Sequence, residues 1–171
     1  MSLEIGGEKS LNLHFPNTQN SGVTLGPGYD MKGMSKMRVL EDLQAIGVTE
    51  DVAQEVAEGA PGKQGFKKDR KTGKKLNNSA QEFVENWKIS HPEPIITKEQ
   101  EKELFQNILV PRFIVERIQP EIKKYGNYNW HKLSDDQKGM LFDVAYNPGL
   151  TKFPKFTEAV LTEDWDTVGR E

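Results

Sequence analysis

Apolar and polar residues alternate near the start of the chain. The alternation covers residues 11–15 and returns over 23–25, with a segment rich in turn formers, residues 16–21, between them. A period of two predicts strands with one buried face. We therefore expect residues 11–25 to form a β-hairpin.

From Ser35 onward the apolar positions recur with a helical period. Ser35 and Thr49 are placed to cap two helices, and a third is predicted over residues 78–89. Capping boxes at Thr97–Gln100 and Ser134–Gln137 predict the starts of two more helices. Most of the chain is therefore expected to be helical.

The two patterns together predict an α+β fold. The 171 residues suffice for one domain with a substantial core. We expect a small hairpin lobe over residues 1–33 and a larger helical lobe over residues 34–171. No internal repeat is apparent, and no apolar run reaches the roughly 18 residues of a membrane span.

Composition excludes several kinds of chemistry. Cysteine is absent, so disulfides, thiol catalysis and cysteine metal sites are unavailable. His14, His91 and His131 lie far apart without metal-ligand spacing, so we expect no metal and no cofactor. Neither a phosphate-binding G-x-x-x-x-G-K-[ST] loop nor a G-x-S-x-G nucleophile turn is present.

A basic run spans residues 67–75 and holds six lysines and arginines. Such a run is most simply a solvated loop, although it could also attract an anionic cell-wall polymer or phospholipid headgroups. The formal net charge is −3 and aromatic residues do not alternate with the basic ones. We therefore expect no nucleic-acid partner.

The turn at residues 26–28 is the centre of the candidate chemistry. Its glycines either form a tight turn or allow a ligand to approach the backbone. Glu8 precedes the first predicted strand and Asp30 follows the second, so the hairpin can bring both to one end, with Thr24 between them. By themselves both acids are most simply surface residues. Two carboxylates and a hydroxyl are also the minimum set for glycoside hydrolysis, in which one acid protonates the leaving oxygen and the other groups orient water.

Three segments, in this order, resemble phage-type lysozymes. They are the hairpin with Glu8, Phe15 and the T-x-G-x-G motif at Thr24–Gly28, the I-T-x-E-Q helix start at Ile96–Leu104, and a helix end similar to F-x-F-N-x-G at Leu141–Gly149. The extended motif Ser21–Asp30 is closer to the pesticin branch of the same superfamily and to related antibacterial effectors. The resemblance covers residues 4–160.

This resemblance implies a lysozyme-like fold with a cleft between the lobes. It also implies a muramidase, which cleaves the β-1,4 bond between N-acetylmuramic acid and N-acetylglucosamine. The implied catalytic residues are Glu8 as general acid, with Glu4 as the alternative, and Asp30 with Thr24 to position water, giving an inverting reaction. Glu8 has the better spacing to Thr24, whereas Glu4 lies closer to the Glu-Gly pattern usual in the family.

The resemblance also suggests residues that bind substrate. Gly26 and Gly28 would line the site. Tyr29 would either stack on a sugar ring or cover the hairpin, and Asn147 would either lie near the cleft or end its helix. Phage enzymes usually carry histidine where this chain has Tyr29.

Peptidoglycan glycan strands are the expected substrate of a monomeric enzyme. We expect synthesis in the cytoplasm without a signal peptide, export by a separate system and action on the cell wall. These residues are compatible with a role in phage lysis, as a bacteriocin or as a contact-delivered effector. If the protein is a toxin, we expect an immunity protein as its partner. Because Met1 lies so close to the expected catalytic glutamate, we expect this sequence to be the catalytic part of a longer chain. Alternatives are a lysozyme-fold module that binds glycan without cutting it, or a helical body that binds a protein partner.

Overall fold

The computed structural model describes residues 7–17, 20–76, 78–146 and 149–170, with the backbone alone at residues 7, 8, 67, 68, 75, 76 and 170. The chain divides into two compact units, Met1–Leu109 and Val110–Glu171. The first unit therefore holds residues 11–25, where the hairpin was expected, together with helices expected in the other lobe. Its boundary differs from the one expected after residue 33, and the description as a single catalytic domain stays a prediction.

The first unit begins with a 3-10 helix, Gly7–Leu11, followed by a very short hairpin. Strand β1 (Thr24–Leu25) pairs antiparallel with β2 (Tyr29–Asp30), with Thr24 opposite Asp30. His14 forms an isolated bridge to Thr24 on the other side of β1. The tight turn predicted at residues 26–28 is present, and it connects β1 to β2. The hairpin itself was expected over residues 11–25, and the structure places it at Thr24–Asp30 instead.

The predicted strand over residues 11–15 is reduced to that single bridge. The Leu11 carbonyl accepts hydrogen bonds from the amides of Ile95 and Ile96, at 2.9 and 3.1 Å, rather than from the return strand. The Ser10 carbonyl accepts the Gly26 amide at 2.8 Å. Distant backbone groups thus replace the ladder that the alternation predicted.

Within its described residues, the first unit also contains four α-helices. They are α1 (Lys36–Ala45), α2 (Glu50–Gly59), α3 (Ser79–Ser90) and α4 (Lys98–Glu103), the last followed by a π-helical stretch, Leu104–Leu109. Ser35 caps α1 by accepting the Arg38 amide, as predicted. The capping box of Thr97 and Gln100 is also confirmed, with both reciprocal hydrogen bonds present. At Thr49 the side chain makes no capping hydrogen bond.

One buried cluster holds the hairpin against these helices. Its largest members, each less than 2 % exposed, come from the hairpin segment, α1, α2 and the π-helical stretch: Leu13, Val23, Leu25, Tyr29, Met31, Val39, Leu43, Val56 and Leu104. Burial of each such side chain contributes on the order of 1.5–3 kcal/mol. The hairpin, although only two residue pairs long, is thus fixed by its apolar face.

The basic run, predicted as a loop, forms a second short hairpin. Strand β3 (Lys67–Lys68) pairs antiparallel with β4 (Lys75–Leu76). The tip closes through a hydrogen bond from the Asp69 amide to the Lys74 carbonyl, and Gly73 adopts a φ of 68°. Residues 70–74 of this tip are exposed, in keeping with the expected solvation.

The second unit is helical throughout its described part. It contains α5 (Val110–Phe113), a π-helical stretch (Ile114–Ile118), α6 (Gln119–Ile122), α7 (Asp135–Tyr146), α8 (Pro154–Leu161) and α9 (Trp165–Arg170), with 3-10 turns between several of them. The predicted capping box at Ser134 and Gln137 is present in both directions, at 2.8 and 3.2 Å. Gln137 also donates to the carbonyls of Val160 and Leu161, which ties α7 to the end of α8.

The second unit has its own core around Ile118, Ile122, Trp130 and Leu141. The whole described structure is therefore mainly helical with small antiparallel sheets, which confirms the α+β class. Over the same residues, no helix is both long and apolar enough to span a bilayer.

Candidate functional site

Three of the residues that bear on the candidate site lie side by side across the hairpin. His14 and Thr24 exchange both backbone hydrogen bonds, at 2.9 Å each, and Thr24 is directly opposite Asp30. Residues directly opposite in antiparallel strands project their side chains to the same face, with Cβ atoms roughly 5 Å apart. Thr24 is thus the middle residue of a row that runs from His14 to Asp30.

A cavity of about 800 Å³ opens beside this row. Its walls come from the 3-10 helix, the segment after it, the hairpin turn and α3: Lys9, Ser10, His14, Phe15, Pro16, Asn17, Thr24, Gly26, Pro27, Gly28, Gln81, Val84, Glu85 and Lys88. The volume falls within the range typical of small-molecule sites. The structure therefore brings Thr24, Gly26 and Gly28 to one cavity within the first unit.

Gly26 is required in the turn for two reasons. Its φ is 60°, a left-handed backbone conformation that residues with a side chain rarely adopt. A Cβ at this position would also lie 3.1 Å from Cδ2 of Leu104. The turn thus presents bare backbone to the cavity, and the sequence motif reflects both conformation and packing.

Asp30 does not line the cavity, although its strand partner Thr24 does. Its carboxylate accepts the Gly22 amide at 3.1 and 3.2 Å and the Lys32 amide at 2.9 Å. Thr24 Oγ1 donates to the Gly22 carbonyl at 3.1 Å. Both side chains therefore hold the peptide groups of Gly22, and Asp30 stabilises the strand that carries Thr24.

Tyr29 belongs to the core. Its side chain is fully buried and its hydroxyl donates to Asp42 at 2.6 Å. A buried ring cannot stack on a sugar, so that expectation is wrong. The alternative was that Tyr29 covers the hairpin, and the structure places its side chain in the core, bonded to Asp42 of α1. The period of two places Tyr29 and Leu25 opposite each other on the buried face.

The two candidate acids are described only in part. The backbone of Glu8 belongs to the 3-10 helix Gly7–Leu11, and the next two residues, Lys9 and Ser10, line the cavity. Glu4 lies outside the described residues, as does Asn147. The assignment of Glu8 as general acid, with Glu4 as alternative, stays a prediction.

Two groups near the cavity were missed by sequence reasoning. Ser10 donates a hydrogen bond to the carboxylate of Glu101, which is only 5 % exposed. The sequence places Glu101 in the first turn of α4, where an acidic residue is favoured by the helix dipole and is usually solvated. Its burial depends on Ser10, far away in the sequence, so the local pattern gives no signal for it.

His14 is the second missed residue, and its ring orientation follows from one contact. Nδ1 lies 3.1 Å from the carbonyl of Asn12, which can only accept, so Nδ1 carries the proton. Burial lowers the pKa of His14 below its ordinary value of 6.5, and the Lys88 ammonium lowers it further. The hydrogen bond to Asn12 and the charge of Glu101 raise it in part. One sequence feature indicates this placement: His14 is a polar residue between Leu13 and Phe15, so the alternation predicts that its side chain points away from the core.

Across the described residues, no group of three or more His, Cys, Asp or Glu is arranged to hold a metal ion. A comparison with curated proteins found no match. A family model does match residues 3–160, which include the hairpin, the cavity walls and both capping boxes. That match extends over most of both units, and the chain therefore belongs to the family described as Domain of unknown function (DUF8812).

Proposed function

We propose that this protein is a peptidoglycan muramidase with a lysozyme-like fold, acting at the cavity beside the hairpin. The observation that carries the proposal is that Thr24, Gly26 and Gly28 of the T-x-G-x-G motif line one cavity with residues of the 3-10 helix that contains Glu8. Because Gly26 and Gly28 carry no side chain, a sugar polymer could lie close to the backbone of the turn. The mixed lining, with Phe15 and Val84 beside Gln81 and Asn17, suits the apolar faces and polar edges of sugar rings.

In this proposal Glu8 protonates the leaving oxygen and Thr24 holds water on the opposite side of the sugar. Asp30 acts through Gly22, because its carboxylate and the Thr24 hydroxyl bind the two sides of that residue. Asp30 is thus a positioning residue. The enzyme would act on the cell wall after export, in a lytic or antibacterial role, with an immunity protein as partner if that role is a toxin's.

A digest of purified peptidoglycan by the full chain tests the proposal. Muramidase activity releases new reducing ends at N-acetylmuramic acid, identified by borohydride reduction and mass spectrometry of the products. Glu8→Gln is expected to lower kcat by about 10²–10⁴, the usual contribution of a general acid. Asp30→Asn is expected to cost less, since an amide oxygen still accepts one of the backbone hydrogen bonds.

Glu82→Gln is the matched control, because Glu82 is an exposed acid of α3 that does not line the cavity. Loss of activity in Glu4→Gln, with Glu8→Gln active, would move the acid to Glu4. Full activity in Glu8→Gln, Glu4→Gln and Asp30→Asn together would overturn the assignment of the site.

A glycan-binding module without hydrolytic activity is the second candidate. The occupation of the Asp30 carboxylate by backbone amides favours it, because that carboxylate does not line the cavity. Co-sedimentation with insoluble peptidoglycan and no new reducing ends would support this second function.

A further inference from the structure

His14 lines the cavity and has no role in the mechanism proposed above. A hydrolysis in which Glu8 donates one proton also needs a group that receives a proton from the attacking water. Asp30 is poorly placed for this, because its carboxylate is directed to the amides of Gly22 and Lys32. His14 is on the other side of Thr24 and lines the cavity.

We infer that His14 is the proton acceptor for the water molecule that attacks the glycosidic carbon, an inference that rests on the proposed muramidase function. The His14 and Thr24 side chains project from directly paired residues on one face. A water held by the Thr24 hydroxyl therefore lies within reach of the His14 ring. His14 touches the reacting water and is in this sense catalytic.

The tautomer of His14 suits this role. The Asn12 carbonyl fixes the proton on Nδ1, which leaves the lone pair on Nε2. In the part of the chain that the structure describes, no hydrogen bond occupies Nε2. The ring is thus anchored through one nitrogen and open through the other, as a general base requires.

Charged groups of both signs surround His14, and burial is the main influence on its pKa. Lys88 and Glu85 of α3 and Lys9 of the 3-10 helix line the same cavity, and Asp30 lies beyond Thr24 in the row. Glu101 of α4 opposes Lys88 in its effect on the ring. With burial as the largest influence, the pKa of His14 is lowered, so His14 is mostly uncharged at pH 7.

The reaction balances with one water molecule consumed. The water oxygen forms a bond to C1 of N-acetylmuramic acid as the bond from C1 to the leaving O4 breaks, and the electron pair of that bond goes to O4. Glu8 gives its proton to O4, and the water gives a proton to Nε2 of His14. The imidazolium and the Glu8 carboxylate then return to their starting forms by proton exchange with solvent. Direct attack by water inverts the anomeric configuration.

Kinetics of His14→Asn on soluble peptidoglycan fragments test the inference. Asparagine keeps a polar side chain but cannot accept the proton at neutral pH, so kcat is expected to fall by about 10²–10⁴ with KM little changed. In the native chain kcat should fall as the pH drops below 6.5 through the lowered pKa, because protonated His14 is inactive. This acidic limb should be absent in His14→Asn.

His131→Asn serves as control, since His131 is exposed in the second unit. Glu85→Gln tests the carboxylate that lines the cavity with His14. This substitution is expected to lower kcat by less than tenfold. Full activity in His14→Asn, retention of anomeric configuration, or a large loss in Glu85→Gln alone would each overturn the inference.

A separate measurement distinguishes this inference from the proposed function. ¹⁵N spectra of the imidazole rings should give His14 protonated at Nδ1 and titrating below 6.5, and a chitooligosaccharide should shift its Nε2 signal. If the native chain shows no hydrolysis, the proposed function and the catalytic role of His14 both fail. If the chain cleaves glycan and the Nε2 signal does not respond to sugar, the inference alone fails.

Discussion

Tyr29 and Asp42 are joined by a 2.6 Å hydrogen bond inside the first unit, where the tyrosine is fully buried and Asp42 is 6 % exposed. The bond connects β2 to α1. A buried carboxylate needs partners, because an unsatisfied one loses its hydration without compensation. The contact therefore contributes to holding the hairpin against the helices.

Tyr29→Phe should destabilise the first unit by about 1–3 kcal/mol, the usual cost of leaving a buried polar group with one partner fewer. Urea unfolding of the full chain measures this effect. Tyr146→Phe is the matched control, because Tyr146 is 42 % exposed and should change stability by less than about 0.5 kcal/mol. Equal effects of the two substitutions would contradict the structural role of the Tyr29 hydroxyl.

The region around Tyr29 was only partly predictable from the sequence. The turn at residues 26–28 was predictable, since glycine at two positions around a proline has a local conformational reason. The burial of Tyr29 was not, because the alternation at residues 23–25 predicts a buried face for that strand alone and Tyr29 lies beyond the turn. Tertiary burial by α1 decided the position of Tyr29, and no local pattern contains that information.

Gly22 is expected to tolerate no side chain. A Cβ there would lie 2.6 Å from Cβ of Lys32 and 2.8 Å from the carbonyl oxygen of Lys63. Gly22→Ala should therefore destabilise the chain by about 1–3 kcal/mol through overpacking. It should also lower any hydrolytic activity, because Thr24 and Asp30 both bind the peptide groups of Gly22.

Gly33→Ala provides the comparison, because a Cβ at Gly33 meets nothing within 4 Å. This variant should be neutral or slightly stabilised, since alanine restricts the unfolded chain. Thermal unfolding followed by circular dichroism ranks both variants. A Gly22→Ala protein as stable as Gly33→Ala would show that the segments around Gly22 relax more easily than their close approach indicates.

Part of the candidate site could be predicted from local chemistry, and part could not. Thr24, Gly26 and Gly28 were found because a motif with fixed spacing folds as a local turn. The cavity role of His14 and the buried Glu101 depend on contacts across long stretches of sequence, such as the bond from Ser10 to Glu101. An acid in the first turn of a helix normally points to water, so only the folded chain reveals that this one is covered.

Ser10→Ala tests that buried contact. Removal of the hydroxyl takes one donor from the Glu101 carboxylate, and hydrogen bonds to charged groups contribute about 1.5–3 kcal/mol. We expect destabilisation in this range, measured by urea unfolding. Ser90→Ala, at an exposed position near the end of α3, should change stability by less than about 0.5 kcal/mol. A neutral Ser10→Ala would indicate that water or another donor replaces the hydroxyl.

Lys88→Gln should raise the pKa of His14 toward 6.5. The Lys88 ammonium disfavours the protonated ring, so its removal makes protonation easier, whereas desolvation by burial remains and keeps the pKa lowered. An NMR titration of the His14 ring measures the change directly, with Lys155→Gln in the second unit as control. If His14 accepts the proton from water, the acidic limb of kcat must move upward in pH by the same amount. An acidic limb that stays in place while the ring titration shifts would separate His14 from the catalytic step and leave its neighbours as the groups to test next.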